Sequence, residues 1–367
     1  MKPVSGQVRV GIIGAGLIGQ NHSRQLRECA DRSDGSVRVA AIADLELERA
    51  QQLAARWPGA RASGEPRELI DDPNLDALYI CTPTSSHCEL FMAAARAGKH
   101  LFCEKPLAMT AADAAQMERA AREGAVAAQV GLVLRFSPVY TVIRAMAAEP
   151  AAGKLLAITL RDDQDFPIRG SHASAWRNDP RLTAGGTLIE HSVHDFDLLT
   201  WMFGPLTSIY CRTRNVNGAS NVEDYGVADL EFAAGFHAQL MSVWHRMIAR
   251  ISNRRIEVFC ENLYIACDYD TIGPIVVQRG NEAREETIPE TEVMRRFEEI
   301  ILAERPYLSP LRDRLAIPYA LEDATFVAAL RGECDIYPAI SAGVAAQRMV
   351  EAAYDSARRG VPVDLTD

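Results

Sequence analysis

A glycine-rich turn near the N-terminus constrains the fold of this chain more than any other sequence feature. It fits the pattern G-x-G-x-x-G and lies between the apolar run Val8–Ile13 and a helical stretch that continues to about Ala30. In this pattern the glycines permit a tight turn, a close approach of the backbone to a pyrophosphate, and close packing of helix on strand. The helix N-terminus then offers N–H groups to phosphates. The turn therefore predicts a dinucleotide site with the binding residues Gly14, Gly16, Leu17, Ile18 and Gly19.

The first 130 residues alternate apolar, strand-like runs with helical stretches. The strand candidates are Val8–Ile13, Val37–Ala43, Ala77–Cys81, His100–Cys103 and Ala127–Val133. Strands that alternate with helices indicate parallel βαβ units and hence a doubly wound α/β sheet. Because such sheets bind ligands beyond the carboxyl ends of their strands, residues that directly follow a strand are the candidates for function.

The pattern changes after about Phe136, where strand-like runs become longer and are less regularly separated by helices. This pattern predicts a second, α+β domain built on a largely antiparallel sheet. We therefore divide the chain into a dinucleotide-binding domain over residues 1–130 and a second domain over 131–367. The Ala-rich helical segment 315–359 is a candidate to pack back on the body of the protein.

Asp44 closes the second predicted strand, 25 residues after Gly19. A carboxylate at this position accepts hydrogen bonds from the adenosine ribose hydroxyls. It also repels a 2′-phosphate, and Leu45 beside it offers no cation to such a group. The sequence therefore favours NAD over NADP.

Lys105 directly follows a strand candidate, within Cys103–Pro106. At the carboxyl end of a strand its ammonium group could hydrogen-bond a substrate hydroxyl and stabilise developing negative charge. The alternative is a surface lysine in a turn. Pro106 restricts Lys105 to extended backbone and permits a cis peptide bond between the two residues.

A second group of candidates lies in a predicted helix over Thr187–Phe203. Glu190, His194 and Asp197 share one face of that helix, whereas its other faces are apolar. An ionisable stripe on an apolar helix costs desolvation energy unless it is paired or functional. His194 is suited to take a proton near neutral pH, and Glu190 could orient it or bind a hydroxyl. The alternatives are a salt-bridged helix face and a metal site formed by His191, His194, Asp195 and Asp197. No HExxH or CxxC partner accompanies that set, so no metal is predicted.

Composition excludes several classes of partner. The 39 Lys and Arg residues against 49 Asp and Glu residues give a formal charge of −10, which argues against nucleic acid and anionic membranes. The basic cluster Arg246, Arg250, Arg254 and Arg255 is accordingly interpreted as a solvated turn or a subunit contact. Eight scattered cysteines without a CxxC pair, and the lack of a signal-like or membrane-spanning apolar run, predict a cytoplasmic protein with reduced thiols.

In serial order these motifs resemble the Gfo/Idh/MocA oxidoreductases, which include inositol dehydrogenases and glucose–fructose oxidoreductase. The resemblance covers nearly the whole chain and implies an N-terminal Rossmann domain followed by an α/β domain with an open, mainly antiparallel sheet. That sheet would form a homodimer or homotetramer interface. The residues that carry the resemblance are Gly14–Gly19 with His22, Asp44, Cys81–Pro83 with His87, Ala97–His100, Cys103–Pro106, Gly131, Arg135, Phe136, Trp176, Arg177, Gly185, Gly186, His194 and Asp197.

The resemblance also implies roles for individual residues. Lys105 and His194 would be catalytic with Glu190 beside them, and Lys105 would contact the cofactor as well. The other implied cofactor contacts are Thr82 and Pro83 near the nicotinamide, Glu104 near the ribose, and His87. The implied substrate-binding residues are Lys105, Arg135, Trp176, Arg177, Glu190 and His194.

One residue departs from the inositol dehydrogenase pattern, because Glu190 stands where those enzymes carry Asp. The extra methylene moves the carboxylate by about 1 Å, enough to change which hydroxyl it contacts. The charged segment Asp162–His172 is a further candidate to line the substrate site, or else an exposed loop.

Three functions remain open at the level of sequence. The first is an NAD-dependent dehydrogenase acting on a secondary alcohol of a polyol, sugar or sugar derivative. The second is a redox-neutral, NAD-dependent glycoside hydrolase. The third is a non-catalytic, NAD-bound regulator, against which the presence of both Lys105 and His194 argues.

Overall fold

The computed structural model divides the chain into two compact units, each of which is described by itself. Unit 1 comprises residues 1–133 and 304–344, and unit 2 comprises 134–303 and 345–367. The segment 304–344 is thus grouped with the dinucleotide-binding part, although the sequence interpretation had assigned it to the second domain. The structure describes residues 3–33, 35–165, 175–218, 222–247, 252–280 and 284–366.

Unit 1 is built on a parallel sheet, called sheet A. Among the described residues its strands run in the order β3-β2-β1-β4-β5-β6, and every neighbouring pair is parallel. This order confirms the predicted doubly wound Rossmann sheet. Its elements are β1 (Val8–Ile13), α1 (Leu17–Arg32), β2 (Val37–Ala43), α2 (Leu47–Ala54), β3 (Arg61–Ser63), α3 (Pro66–Ile70), β4 (Ala77–Ile80), α4 (His87–Arg96), β5 (His100–Cys103), α5 (Ala111–Glu123) and β6 (Ala128–Val130).

Unit 2 is built on sheet B. The elements up to residue 304 are α6 (Pro138–Ala147), β7 (Leu155–Asp165), α7 (Thr187–Glu190), α8 (Val193–Phe203), β8 (Leu206–Arg214), β9 (Tyr225–Phe232), β10 (His237–His245), β11 (Asn253–Cys260), β12 (Leu263–Cys267), β13 (Ile275–Arg279), β14 (Glu286–Ile288) and α9 (Glu290–Glu304). The remaining elements of the chain are α10 (Pro318–Leu330), α11 (Ile340–Arg359) and β15 (Val363–Asp364).

In the described residues sheet B has the strand order β14-β13-β12-β11-β7-β10-β9-β8-β15. All its neighbouring strands are antiparallel except β7 and β10, which confirms the predicted mainly antiparallel sheet. Side chains of β9 and β10 alternate between buried and accessible. Helix α7 packs against these two strands, so one face of the sheet belongs to the core of unit 2.

The segment 304–344 completes the core of unit 1. Helix α10 packs along α1, and the carbonyl oxygen of Leu330 at its end accepts a hydrogen bond of 2.8 Å from the Val4 N–H. The Gln129 side chain of β6 donates to the Glu322 carbonyl in the same helix, at 3.1 Å. Because α10 is buried on nearly every side, it brings its polar residues into the interior beside α1.

None of the helices in the described ranges combines the length and apolarity that crossing a bilayer requires. All eight cysteines are free thiols.

Candidate functional site

The carboxyl edge of sheet A brings together most of the predicted cofactor residues. The last residues of four adjacent strands are in register: Ala43 with Ile13, Ile13 with Ile80, and Ile80 with Cys103. Neighbouring strands lie about 4.8 Å apart, so the residues that follow them form a row along this edge. That row contains Asp44, Gly14, Thr82, Pro83, Glu104 and Lys105.

Two of the three glycines in the turn are required by the protein itself. Gly14 has φ +98°, and a Cβ atom on it would lie 2.5 Å from the carbonyl oxygen of Cys81. A Cβ atom on Gly19 would collide with the carbonyl oxygen of Gly14. In contrast, among the residues that the structure describes, none other than its own chain neighbours comes within 4 Å of the Cβ position of Gly16. Gly16 therefore borders open space at the N-terminus of α1, where a pyrophosphate fits the fold.

The two kinds of glycine predict different mutant behaviour. Gly16→Ala should fold like the unmodified protein but bind NAD at least about tenfold more weakly. Gly19→Ala should lose about 1–3 kcal/mol of stability, because its methyl group meets backbone. Urea unfolding and calorimetric titration with NAD measure the two effects. Wild-type affinity for NAD in Gly16→Ala would contradict the assignment of this turn.

Asp44 is held at the mouth of the glycine turn. Its Oδ2 accepts a hydrogen bond from the Ala15 N–H at 2.8 Å, and its Oδ1 accepts one from the Glu46 N–H at 2.9 Å. The half-buried carboxylate is therefore oriented by the backbone on both sides. A carboxylate oxygen accepts more than one hydrogen bond, so Asp44 retains capacity for the ribose hydroxyls that the sequence assigns to it.

His87 connects the loops that follow β4 and β5. Its Nε2 lies 2.8 Å from the carbonyl oxygen of Thr82, and its Nδ1 lies 2.8 Å from that of Pro106. Ser86 Oγ donates to Thr82 Oγ1 at 2.7 Å, and the Lys105–Pro106 bond is cis. These contacts hold the two loops together around a buried imidazole. A direct contact of His87 with the cofactor stays a prediction.

Glu104 points into unit 1 and is only 7% exposed. Its Oε1 lies 2.9 Å from His22 Nε2, and its Oε2 accepts the Lys105 N–H at 3.1 Å. The predicted contact of Glu104 with the ribose stays a prediction, since the contacts found here are made with the protein. Lys105, by comparison, is half-buried at the sheet edge.

The sequence predicts one continuous helix over Thr187–Phe203. This prediction is wrong, because the structure has two helices there with a break between them. Helix α7 ends at Glu190, and α8 begins at Val193. Between them the Ser192 N–H donates to the carbonyl of Thr187, five residues back, at 3.0 Å. The His194 N–H donates to the carbonyl of His191, three residues back, at 3.1 Å. The α-helical hydrogen bonds from residue i to residue i−4 are therefore interrupted at this point. As a result, Glu190 and His194 are not separated by one regular turn of a helix.

Buried polar contacts accompany this interruption. The Trp244 indole N–H donates to His191 Nδ1 at 2.6 Å, and Ser192 Oγ donates to Asp162 at 3.4 Å. The hydrogen bond from Trp244 occupies Nδ1 of His191. His191 is one of the residues of the alternative metal site considered from the sequence. In the described part of the chain no group of His, Cys, Asp and Glu could hold a metal ion.

Three of the predicted substrate-binding residues lie together in unit 2. Arg177 Nε is 3.3 Å from Glu190 Oε2, and the Arg177 guanidinium carbon lies 4.7 Å from the centre of the Trp176 ring. Glu190 is fully buried, whereas the Arg177 side chain is 22% exposed. The arginine therefore compensates a buried carboxylate and keeps an accessible edge.

Arg135, a fourth predicted substrate residue, forms a two-pronged ion pair with Asp197. Its Nε and Nη2 donate to the two carboxylate oxygens at 2.8 and 2.6 Å. Burial raises the pKa of Asp197, and the guanidinium of Arg135 opposes that rise. The structure thus assigns Arg135 a partner on α8, the helix whose first turn carries His194. A contact with substrate stays a prediction.

Arg254 corrects one interpretation made from sequence. It is 5% exposed and is neither a solvated turn residue nor a surface contact. Its guanidinium donates to Asp195 at 2.6 Å, Asp270 at 3.0 Å and Asp162 at 3.3 Å. Since Asp195 follows His194, this cluster holds the first turn of α8. Of the segment predicted to line the substrate site, Asp162–Asp165 belong to β7, whereas 166–172 lie outside the described residues.

Sequence reasoning missed Glu223, which anchors the start of α7. Its carboxylate accepts hydrogen bonds from the Gly186 N–H at 2.8 Å, the Leu188 N–H at 3.0 Å and the Tyr354 hydroxyl at 2.6 Å. A Cβ atom on Gly186 would overlap the Glu223 backbone. The glycine pair before α7 was the available signal, but its partners are 37 and 168 positions away in sequence.

Comparison with known proteins decides the family. A family model described as "Oxidoreductase family, NAD-binding Rossmann fold" matches residues 8–132, and a model of the GFO/IDH/MocA C-terminal domain matches residues 140–266. The chain belongs to the Gfo/Idh/MocA family. It is an NAD-binding oxidoreductase, and unit 1 contains its Rossmann domain. The predicted family and the predicted cofactor NAD are both confirmed.

Two of three similar curated proteins carry names that refer to sugar or inositol chemistry, and the third is named only as an oxidoreductase. "1,5-anhydro-D-fructose reductase" of Ensifer adhaerens is 32% identical over 63% of this chain and 68% of its own length. "Myo-inositol 2-dehydrogenase" of Thermotoga maritima is 32% identical over 54% of this chain and 55% of its own length. "Uncharacterized oxidoreductase YrbE" of Bacillus subtilis is 28% identical over 98% of this chain and 97% of its own length.

Solved structures of other dehydrogenases share this fold. "Levoglucosan dehydrogenase, complex with NADH and levoglucosan" superposes with a TM-score of 0.84 at 21% identity and covers 98% of this chain and 100% of that one. The WlbA dehydrogenase from Bordetella pertussis in complex with NADH and UDP-GlcNAcA has a TM-score of 0.83 at 22% identity and covers both chains fully.

Proposed function

We propose that this Gfo/Idh/MocA protein is a dehydrogenase that oxidises a secondary alcohol of a polyol, sugar or sugar derivative. The observation that carries the proposal is the row at the carboxyl edge of sheet A. There the glycine turn, Asp44 and Lys105 follow strands that are adjacent and in register. A cofactor site and a half-buried lysine on one edge are parts that hydride transfer from an alcohol can use. The names of the relatives support this substrate class.

The cofactor is held by groups of unit 1. The N–H groups at the start of α1 bind the pyrophosphate beside Gly16, and the Asp44 carboxylate binds the ribose hydroxyls. Thr82 and Pro83 flank the nicotinamide. Bound NAD supplies the hydride acceptor, its nicotinamide C4.

Lys105 and His194 act on the hydroxyl that is oxidised. His194 takes the hydroxyl proton as general base. The Lys105 ammonium group stabilises the negative charge that develops on the oxygen. The carbinol C–H bond breaks with its electron pair leaving as hydride, and a carbonyl forms. Bound NAD would take up the hydride, so that the substrate leaves as a ketone while His194 carries the proton. In the reverse direction the same residues would assist the reduction of a ketone.

Unit 2 supplies the groups that bind the rest of the substrate. Glu190 and Arg177 form a compensated pair beside Trp176, which suits neutral hydroxyl groups and the apolar face of a sugar ring. Arg135, which is held by its ion pair with Asp197, is a further hydrogen-bond donor for the substrate. Because Glu190 extends one methylene beyond Asp, we infer that the preferred hydroxyl pattern differs from that of the inositol dehydrogenases.

The accessible face of sheet B suits an assembly of identical subunits. Phe259 and Tyr264, on adjacent strands, contact each other with ring centres 5.0 Å apart and planes tilted by 48°, and Phe259 is 39% exposed. We propose a homodimer or homotetramer that covers this face. The free thiols are compatible with a reducing, cytoplasmic compartment.

A change in absorbance at 340 nm tests the proposed function. The protein is incubated with NAD and a panel of polyols, inositols, aldoses and aminosugars, and NADH formation is followed. A dehydrogenase produces NADH with at least one member of the panel. Bound NAD that stays oxidised while a glycoside is cleaved would instead support the redox-neutral hydrolase. NAD binding without any chemistry across the panel would support the regulator.

Asp44→Ala tests the cofactor preference. Loss of the carboxylate removes the hydrogen bonds to the ribose hydroxyls and the repulsion of a 2′-phosphate. We expect the Kd for NAD to rise about tenfold and the preference for NAD over NADP to narrow. Glu46→Ala, two positions further along the same loop, is the matched control. Tighter binding of NADP than of NAD by the unmodified protein would contradict the role of Asp44.

A further inference from the structure

Unit 1 contains a buried ionic chain formed by Asp323, His22 and Glu104. His22 lies on α1 and is fully buried. Its Nδ1 is 2.8 Å from Asp323 Oδ1, and its Nε2 is 2.9 Å from Glu104 Oε1. Both ring nitrogens thus face carboxylate oxygens, an arrangement that the doubly protonated imidazolium satisfies with two donated hydrogen bonds.

The charges around His22 favour the same state. Burial alone lowers the pKa of His22, but Asp323 and Glu104 outweigh it and hold that pKa well above its ordinary value. The ring centres of Phe102 and Tyr79 lie 4.8 and 5.3 Å from the centre of the imidazole ring, and these aromatic rings separate it from solvent. One cation therefore lies between two carboxylates in the interior.

The buried ionic chain ends on the backbone of Lys105. Glu104 Oε2 accepts the Lys105 N–H at 3.1 Å, while Oε1 is committed to His22. Gly131 leaves space for this carboxylate, since a Cβ atom there would lie 2.9 Å from Glu104 Oε1. The orientation of Glu104 is thus determined from three sides: by His22, by Gly131 and by the amide of Lys105.

We propose that His22, held by Asp323, is a positioning residue for Lys105. It fixes the Glu104 carboxylate, which in turn fixes the amide and the direction of the side chain at Lys105. The inference rests on the proposed function for the catalytic role of Lys105, whereas the chain of contacts stands independently of it. A displacement of about 1 Å at a reacting group can reduce turnover by about 100-fold, so a device that restrains this lysine affects the rate.

Two adjacent residues of α10 form a matched pair of variants. Asp323→Asn removes the charge that holds His22, whereas Glu322→Gln alters a carboxyl group just beside it. Glu322 is also fully buried, and burial raises its pKa well above the usual value. Its two oxygens make no hydrogen bond to any residue that the structure describes. Burial thus favours the neutral carboxyl group of Glu322, and the amide of glutamine is close to that group in size and shape.

The chain has only four lysines, which permits a direct test: Lys2, Lys99, Lys105 and Lys154. Selective ¹⁵N-lysine labelling gives few backbone signals, and the spectrum of Lys105→Arg identifies the signal of Lys105. We expect hydrogen exchange of the Lys105 amide to accelerate at least about tenfold in Asp323→Asn and to be unchanged in Glu322→Gln. The Lys99 amide, which donates to the Ala94 carbonyl at 3.0 Å, is the internal reference.

Kinetics supply the second readout. With the panel alcohol that gives the largest 340 nm signal, Asp323→Asn should lower kcat about 10- to 100-fold. KM and the Kd for NAD should change by no more than about twofold. His22→Gln, which also breaks the buried ionic chain, should behave in the same way if Asp323→Asn does not fold.

The two readouts separate the possible failures. Unchanged exchange at Lys105 in folded Asp323→Asn or His22→Gln overturns the positioning role, whatever the activity. Faster exchange with unchanged kcat overturns it as well. Accelerated exchange in a protein whose unmodified form oxidises no alcohol supports the buried ionic chain and contradicts the proposed function instead.

Discussion

Lys105→Ala and His194→Ala are each expected to lower kcat by about 100-fold or more while NAD binding is retained. Removal of the ammonium group leaves the developing oxyanion without its stabilising charge, and removal of the imidazole leaves the hydroxyl proton without its acceptor. Steady-state kinetics at 340 nm and calorimetric titration with NAD measure the two quantities.

Two matched controls exist on the surface of unit 2. Lys154→Ala and His237→Ala remove the same side chains at exposed positions and should leave both turnover and NAD affinity unchanged. If Lys105→Ala or His194→Ala turns over substrate at the wild-type rate, the catalytic assignment of that residue is wrong.

Arg254→Met is expected to destabilise the protein by about 3–5 kcal/mol. The substitution leaves Asp162, Asp195 and Asp270 without the cation that compensates them, and a buried carboxylate without a partner is costly. Burial raises the pKa of Asp162, and the charge of Arg254 opposes that rise. The free energy of unfolding in urea measures the effect.

The neighbouring residue is the control for this prediction. Arg255 lies on the other face of β11 and pairs with Glu257 and Asp268 at 3.0 and 2.7 Å, but it is 35% exposed. Arg255→Met should therefore cost no more than about 1 kcal/mol. If the two substitutions lower the free energy of unfolding equally, the proposed role of Arg254 in compensating the buried aspartates is wrong.

The parts of the fold that could be predicted from sequence are those with local signals. The glycine turn follows an apolar run and precedes a helix, so Gly14, Gly16 and Gly19 pointed to a Rossmann sheet. The position of Lys105 at the sheet edge followed from the same alternation. In both cases neighbouring residues along the chain supply the whole physical reason.

The parts that could not be predicted depend on distant partners. Asp323 lies 301 residues from His22, and no spacing rule connects them. The interruption between Glu190 and Val193 is accompanied by contacts with Trp244 and Asp162, which helical periodicity does not include. Arg254 is different, because it alternates with the buried Ile256 and Val258 along β11. That period of two was a usable signal for its burial.

The ratio of ketone formed to NADH formed tests the central claim most directly. With the best alcohol of the panel, product is quantified by mass spectrometry while NADH is followed at 340 nm. The account predicts a ketone two hydrogens lighter than the substrate, formed one for one with NADH, and no such product with Lys105→Ala or His194→Ala. Cleavage of a glycoside without net NADH would contradict it.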